Sequence, residues 1–210
     1  MKRIALFINH PKCSVQSANG VMNALPNYHF KIFTKHEVED NFFDDCDLIC
    51  VPGGVGEADS FDTTLIHHKD KINEFVKKGK PYLGICMGAY WADKLYLDIL
   101  DQVRVVQYIK LEGSCTRRPH AKAMHIRWED KNETMFFNDG CTFQGTNFQS
   151  IAFYPTFYPA AIIQDNIGLI GVHPESEPMW YEYHTWMKHH YHGGRHAELL
   201  SNFVTKLEKT

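Results

Sequence analysis

The feature that most constrains this chain is a set of short apolar runs with almost no polar residue inside them, set between stretches of helical pattern. RIALFI (3–8) and DLICV (47–51) are two such runs, and YLGI (82–85) is a third. A strand with one wet face alternates apolar and polar side chains, so uninterrupted runs predict strands buried on both faces. YHFKIFT (28–34) alternates and reads as a strand nearer an edge. Between these runs, Ser14 to Leu25 can form a helix. From Asp62 to Lys78, Leu65, Ile72, Phe75 and Val76 fall on one helical face, with Asp62 or Thr63 as N-cap and Gly79 as C-cap. Strand–helix alternation of this kind predicts a parallel sheet with helices on both faces.

The second half is less regular. VRVVQYIKL (103–111), AKAMHIRW (121–128) and TMFFND (134–139) read as strands between turn-rich loops. AAIIQ, then Asp165-Asn166, then IGLIGV reads as a hairpin that ends at His173. Glu198 to Lys209 reads as a closing helix. No repeat, low-complexity tract or linker divides the chain, so residues 1–210 are expected to form one α/β domain with an antiparallel extension.

Composition excludes several classes of function. With 210 residues, 44% of them hydrophobic, the chain can build a core without a membrane. A net charge of -3 gives no electrostatic argument for a nucleic-acid partner. The start, MKRIALFINHP, has its apolar run broken by Asn9, His10 and Pro11, too early for a signal peptide. The longest uncharged window, Gly140 to Gln164, holds Pro155, Pro159 and many amides, which rules it out as a membrane span. Cysteines at 13, 46, 50, 86, 115 and 141 show neither CxxC nor zinc-site spacing, and read as reduced thiols. A cytoplasmic protein acting on a small molecule, with no nucleic-acid or membrane partner and no metal or organic cofactor, is the expectation.

Gly84-Ile85-Cys86-Met87-Gly88 sits where an apolar strand turns into a helical pattern. Ligands of parallel α/β sheets meet the carboxyl ends of the strands. A nucleophile on the sharp turn there is held strained and projects into the site, and flanking glycines avoid collision with the crossing strand or helix. The helix that follows would favour a thiolate with its positive end. The competing reading is a buried cysteine beside helix-packing glycines.

A thiolate nucleophile wants a base, and the base an orienting partner. Among 13 histidines, His173 ends the strand IGLIGV and opens His173-Pro174-Glu175. Glu175 could fix its tautomer; Glu177 is the alternative orienter. Val51-Pro52-Gly53-Gly54-Val55-Gly56 follows a buried strand and could supply oxyanion N–H groups, with Met87 as second donor. A glycine-rich turn serving only chain reversal is an equal reading of that loop.

Taken together, PGG after the third strand, GxCxG after the fourth and HPE near the end resemble the class I glutamine amidotransferase-like superfamily. The branch known as the biotin-protein ligase N-terminal domain family is a closer match. The carriers are Gly-Ile-Cys-Met-Gly-Ala-Tyr at the elbow, Phe137-Asn138-Asp139-Gly140, Gly113-Ser114-Cys115, and Gly171-Val172-His173-Pro174-Glu175, spanning nearly the whole chain. The resemblance implies a flavodoxin-like, mostly parallel sheet and a triad of Cys86 as nucleophile, His173 as base and Glu175 as orienter. It also implies Gly53, Gly54 and Met87 as oxyanion donors, with Asn138 and the 113–118 loop near the pocket mouth. Glutaminase modules usually follow the elbow with a substrate-holding glutamine, where this chain has Gly88-Ala89-Tyr90. The protease and chaperone branch carries a histidine after the cysteine, where this chain has Met87. No stretch like the GRGRxxR of a biotin ligase catalytic domain occurs.

The resulting expectation is a cysteine hydrolase or amidotransferase-like enzyme acting on an amide or related carboxyl derivative through a thioester. Its rivals are a non-catalytic binding or regulatory module of the same fold, and a stand-alone glutaminase subunit for a separate synthetase chain. Of the remaining features, His184, His189, His190, His192 and His196 read as a solvated histidine–aromatic surface rather than a metal site. Arg117-Arg118 reads as solvent-facing, with a substrate carboxylate as the alternative partner. Trp180, Tyr181, Tyr183 and Trp186 read as core and pocket wall, and Tyr90 and Trp91 as packing for the elbow helix.

Overall fold

A computed structural model describes residues 1–9, 14–54, 60–183 and 185–210. Its centre is a nine-stranded sheet in the order β2-β1-β3-β4-β11-β10-β9-β6-β7. The run β2 (His29–Phe33), β1 (Arg3–Phe7), β3 (Leu48–Val51), β4 (Tyr82–Ile85) and β11 (Ile167–Ile170) is parallel throughout. Beyond β11 every pairing is antiparallel, through β10 (Pro159–Gln164), β9 (Gln149–Phe153), β6 (Lys122–Trp128) and β7 (Lys131–Phe137). The expected α/β sheet with an antiparallel extension is what the chain builds.

The apolar runs are uninterrupted because each central strand buries both faces. On one side Ile4, Leu6, Leu48, Cys50, Leu83 and Ile85 meet the helices α1 (Val15–Ala24) and α6 (Arg195–Leu207). Their neighbours Ala5, Phe7, Ile49, Val51 and Tyr82 face the other way, onto α3 (Lys69–Lys77) and the turn carrying Trp91. The period of two in a pleated strand deals alternate side chains to the two layers. Helix α1 begins as its sequence suggests, with the Ser14 side chain accepting the N–H of Ser17. Asp165, at φ 47°, makes the tight β10–β11 turn.

Several expected boundaries fail for local reasons. The helix expected over 62–78 is broken into α2 (Phe61–Thr64), a 3-10 turn (Ile66–His68) and α3, starting after Ser60 rather than Asp62 or Thr63. The Thr63 and Thr64 hydroxyls both bond the Ser60 carbonyl, and such back-bonding competes with helix propagation. The strand expected over 103–111 stops early: β5 (Val103–Gln107) gives way to a 3-10 turn over Tyr108–Lys110. β8 (Cys141–Gly145) and β9 were not among the expected strands; β8 pairs with β5 in a separate two-stranded sheet. No helix among the described residues is long and apolar enough to cross a membrane.

The histidine-rich tail corrects a second expectation. His189 and His190 are exposed, but His192 and His196 are buried with their rings stacked at 3.8 Å. His184 lies outside the described residues. His196 Nε2 meets Glu133 Oε2 of β7 at 3.0 Å, Arg195 donates to the same carboxylate, and His192 Nε2 bonds the Ser176 carbonyl. No cluster of three or more metal-ligating groups forms among the described residues. Burial, with the neighbouring His192, pushes His196 down to about 4, and burial pushes His192 down as well. An imidazole held neutral in the fold and charged in the unfolded chain stabilises the fold above about pH 6.5, and loses that contribution as pH falls through 4. For His196 the loss is on the order of 3 kcal/mol. Urea melts at pH 7, 5.5 and 4 are expected to show this decline in the wild type and a flatter one in His196→Gln; equal slopes would count against the network.

Candidate active site

The elbow is formed as its spacing suggests. Cys86 follows β4 with φ 49° and ψ -102°, a conformation costly for a residue with a Cβ. Two close approaches surround it. A Cβ on Gly84 would lie 2.5 Å from the Gly88 carbonyl oxygen, and one on Gly88 would fall on the carbonyl of Val51 in β3. The Cys86 N–H bonds Ile170 O at 2.7 Å, tying the turn to the neighbouring strand β11. The helix after it, α4, is one turn long (Met87–Tyr90), so the long dipole expected behind the sulfur is absent. Trp91 is fully buried beside this turn, and the Tyr90 hydroxyl donates to Asp139 O.

What faces the sulfur is His173. Because β11 lies next to β4, the residue just past the end of β11 arrives beside the residue just past the end of β4. His173 is further fixed by its N–H to Phe136 O at 3.0 Å, a bridge to the end of β7. Its Nδ1 contacts Glu175 Oε1 at 2.8 Å, so Nε2 is the ring nitrogen that the carboxylate does not engage. Imidazole and carboxylate are both buried. Burial opposes a charge on His173, but the Glu175 carboxylate and the neighbouring Cys86 sulfur outweigh it and raise the imidazole to about 10. The structure therefore brings Cys86, His173 and Glu175 into one line of contacts. Glu177 instead accepts from Asn23 at 2.6 Å, so of the two carboxylates only Glu175 reaches the ring.

Ser17 was not singled out in the sequence. Its hydroxyl donates to Glu175 Oε1 at 2.7 Å and accepts the N–H of Gly53 at 2.9 Å. It thereby joins α1, the loop after β3 and the carboxylate behind His173. The available signal was weak: a serine, which favours caps and turns, standing inside a helix on its buried face. Ser17→Ala strands a buried N–H and removes one of the carboxylate's bonds. It is expected to cost about 1–3 kcal/mol in chemical denaturation, and no loss would show the link to be incidental.

The remaining expected site residues separate. Gly53 is at the site, where a Cβ would lie 2.7 Å from His173 Cε1, but its N–H goes to Ser17 rather than toward an oxyanion. Gly54 lines the cleft in front of His173, and Met87 follows Cys86 directly with its side chain in the core. Val55 and Gly56 lie outside the described residues. Asn138 lies on the cleft wall and its carbonyl is 3.7 Å from Cys86 Sγ. The 113–118 loop does not line the cleft; its Cys115 packs instead against Tyr108 and Met124. Arg117 makes only a long 3.5 Å contact to Ile109 O. Of the aromatics after HPE, Tyr181 is core, Trp180 and Tyr183 line the cleft, and Trp186 is 65% exposed, outside the core expected for it.

The cleft holds about 420 Å³. Phe136, Met179, Trp180 and Tyr183 are apolar residues of its lining and Ser14, Gln16, Ser17 and Asn138 polar ones, with His173 among them. Cys86 is 6% exposed and touches two cleft residues, His173 and Asn138, without lining the cleft.

Residues 10–98 match the family described as biotin-protein ligase, N terminal. None of the curated proteins matches the sequence. Among solved structures, the chain is similar to a glutamine amidotransferase from Thermotoga maritima, with TM-score 0.69 and 13% identity, covering 100% of this chain and 99% of the other. It is also similar to a protein from Thermoplasma acidophilum described as a GMP synthase subunit, with TM-score 0.66, 17% identity, and 100% and 95% covered. PurLQS from Thermotoga maritima gives TM-score 0.63 and 13% identity over 98% and 99% of the chains. The chain has the class I glutamine amidotransferase-like fold.

Proposed function

We propose that the protein is a cysteine-nucleophile hydrolase or amidotransferase-like enzyme that acts on an amide or related carboxyl derivative. The observation that carries this reading is the contact line Cys86–His173–Glu175 at the carboxyl ends of adjacent parallel strands. In the proposed reaction the Cys86 sulfur attacks the carbonyl carbon. Charge develops on the carbonyl oxygen, which Gly54 and Met87 N–H groups would receive. His173 Nε2 gives its proton to the departing amine, the C–N bond breaks, and a thioester remains. The same nitrogen then takes a proton from water or an acceptor amine, which attacks the thioester and frees the sulfur. Glu175, held by Ser17, keeps Nδ1 protonated and the ring aimed.

Incubation with a panel of primary amides, followed by intact-mass detection of an acyl adduct on Cys86, tests this directly. An adduct absent from Cys86→Ser supports the reading. No adduct and no product with any amide favours the binding-module alternative, which draws on Cys86 lying outside the cleft wall. A second reading, a glutaminase subunit serving a separate synthetase chain, draws on the names of the PurLQS and GMP synthase neighbours. Ammonia release from free glutamine decides it, and the absence of a glutamine in Gly88-Ala89-Tyr90 argues for little release.

A further inference from the structure

We infer that the substrate held by this cleft is an uncharged amide or ester carrying a flat aromatic group beside the scissile carbonyl. The inference rests on the Cys86–His173 reading and goes beyond it to the chemistry of recognition.

The wall beside the base is aromatic in a specific way. The Phe136 and Trp180 rings stand 5.8 and 5.3 Å from the His173 ring and 5.0 Å from each other, all at steep angles of 63–78°. Rings packed edge to face on one another leave edges and faces on their cleft side, against which a further ring can pack in the geometry aromatic groups prefer. Met179, 55% exposed, and Tyr183, 86% exposed, extend the same wall outward along α5 (Pro178–Glu182) and its end. A thioether and a phenol at the mouth are suited to a flat apolar group.

The polar residues of the lining carry no formal charge. Ser14 donates to Gln16 Oε1 at 2.9 Å, and Asn138 also lines the cleft. Among the described lining residues none is Asp, Glu, Lys or Arg. A zwitterionic amino acid would find no side-chain counter-ion there apart from the imidazole, whereas a neutral amide would find donors and acceptors. The volume of about 420 Å³ lies in the range of small-molecule sites, about 300–1,000 Å³.

Matched alkylating probes test this without knowledge of the natural substrate. In each, the sulfur displaces chloride, forming a C–S bond as the C–Cl bond breaks. The full-length protein is treated with 2-chloroacetamide, with its N-phenyl analogue, and with the N-(4-carboxyphenyl) analogue. Rates at Cys86 are read by peptide mass spectrometry and normalised to exposed Cys115 in the same molecule. The N-phenyl probe is expected to gain at least about tenfold over chloroacetamide at Cys86, the scale of one or two aromatic contacts, and to saturate with concentration. The carboxylated probe is expected to lose that gain. Trp180→Ala and, at the exposed position, Met179→Ala are each expected to lower the phenyl-to-plain ratio. Fast labelling of Cys86 by chloroacetamide with no phenyl advantage would overturn the inference and leave the triad standing. Retention of the gain by the carboxylated probe would overturn its uncharged part. Labelling of Cys86 no faster than Cys115 by any probe would remove the triad and the inference together.

Discussion

Alanine at position 173 is expected to slow alkylation of Cys86 at pH 6 by about 10–100-fold. An ordinary thiol is under about 1% ionised at that pH. A cation beside a sulfur stabilises negative charge on it, and a thiolate is the species that attacks. Burial works against the charge on His173, but Glu175 and Cys86 overcome it and raise the ring to about 10. The ring therefore keeps its charge from acid to mildly alkaline pH, and the advantage of the wild type over His173→Ala is expected to persist across that range. Glu175→Gln should fall between the two, because it removes the charge that holds the ring protonated and keeps the shape.

The other cysteines make the measurement clean. Cys46 is pushed up to about 11 by burial and by Asp45, and Cys141 well up by burial, so both stay protonated. Cys115 is exposed and serves as the internal reference. A Cys86 rate equal to that of Cys115, with no response to His173→Ala, would sink the catalytic reading.

Gly88→Ala is expected to cost more than about 4 kcal/mol, enough to leave little folded protein. The added methyl would land on the carbonyl of Val51, in the middle of the parallel sheet. That obstacle is backbone, so no rotamer change relieves it. Strand β3 would have to move, and with it the pairing to β1 and β4 on its two sides. Overpacking that side chains can absorb costs about 1–3 kcal/mol; shifting a central strand costs more. Soluble yield, near-ultraviolet circular dichroism and urea melts would measure the loss. A Gly88→Ala protein within about 1 kcal/mol of wild type would mean that the helix and strand do not cross this closely.

The parts of this protein legible in its sequence are those governed by local pattern. The runs in β1, β3 and β4 announced strands buried twice over, because a pleat sends alternate residues to opposite faces and both faces needed apolar side chains. GICMG announced the elbow, because a strained turn crowded by a strand and a helix leaves no room for a Cβ at Gly84 or Gly88. Where short-range competition decides, the pattern misled. The helix that apolar periodicity had promised over 62–78 is interrupted by a 3-10 turn at Ile66–His68, just after Thr63 and Thr64 bond the Ser60 carbonyl. The histidines of the tail looked solvated because spacing alone says nothing of what packs over them, yet Glu133 lies some sixty residues upstream.

By itself the sequence determined which residues must be buried and which turn must be tight, since both follow from the covalent geometry of neighbouring residues. Only the tertiary structure decided the partnerships across the sheet. It chose Glu175 over Glu177, engaged the Gly53 N–H with Ser17, and set an aromatic wall beside the imidazole. Those outcomes depend on which strand lies next to which, and adjacency in a sheet is settled by the packing of the whole chain.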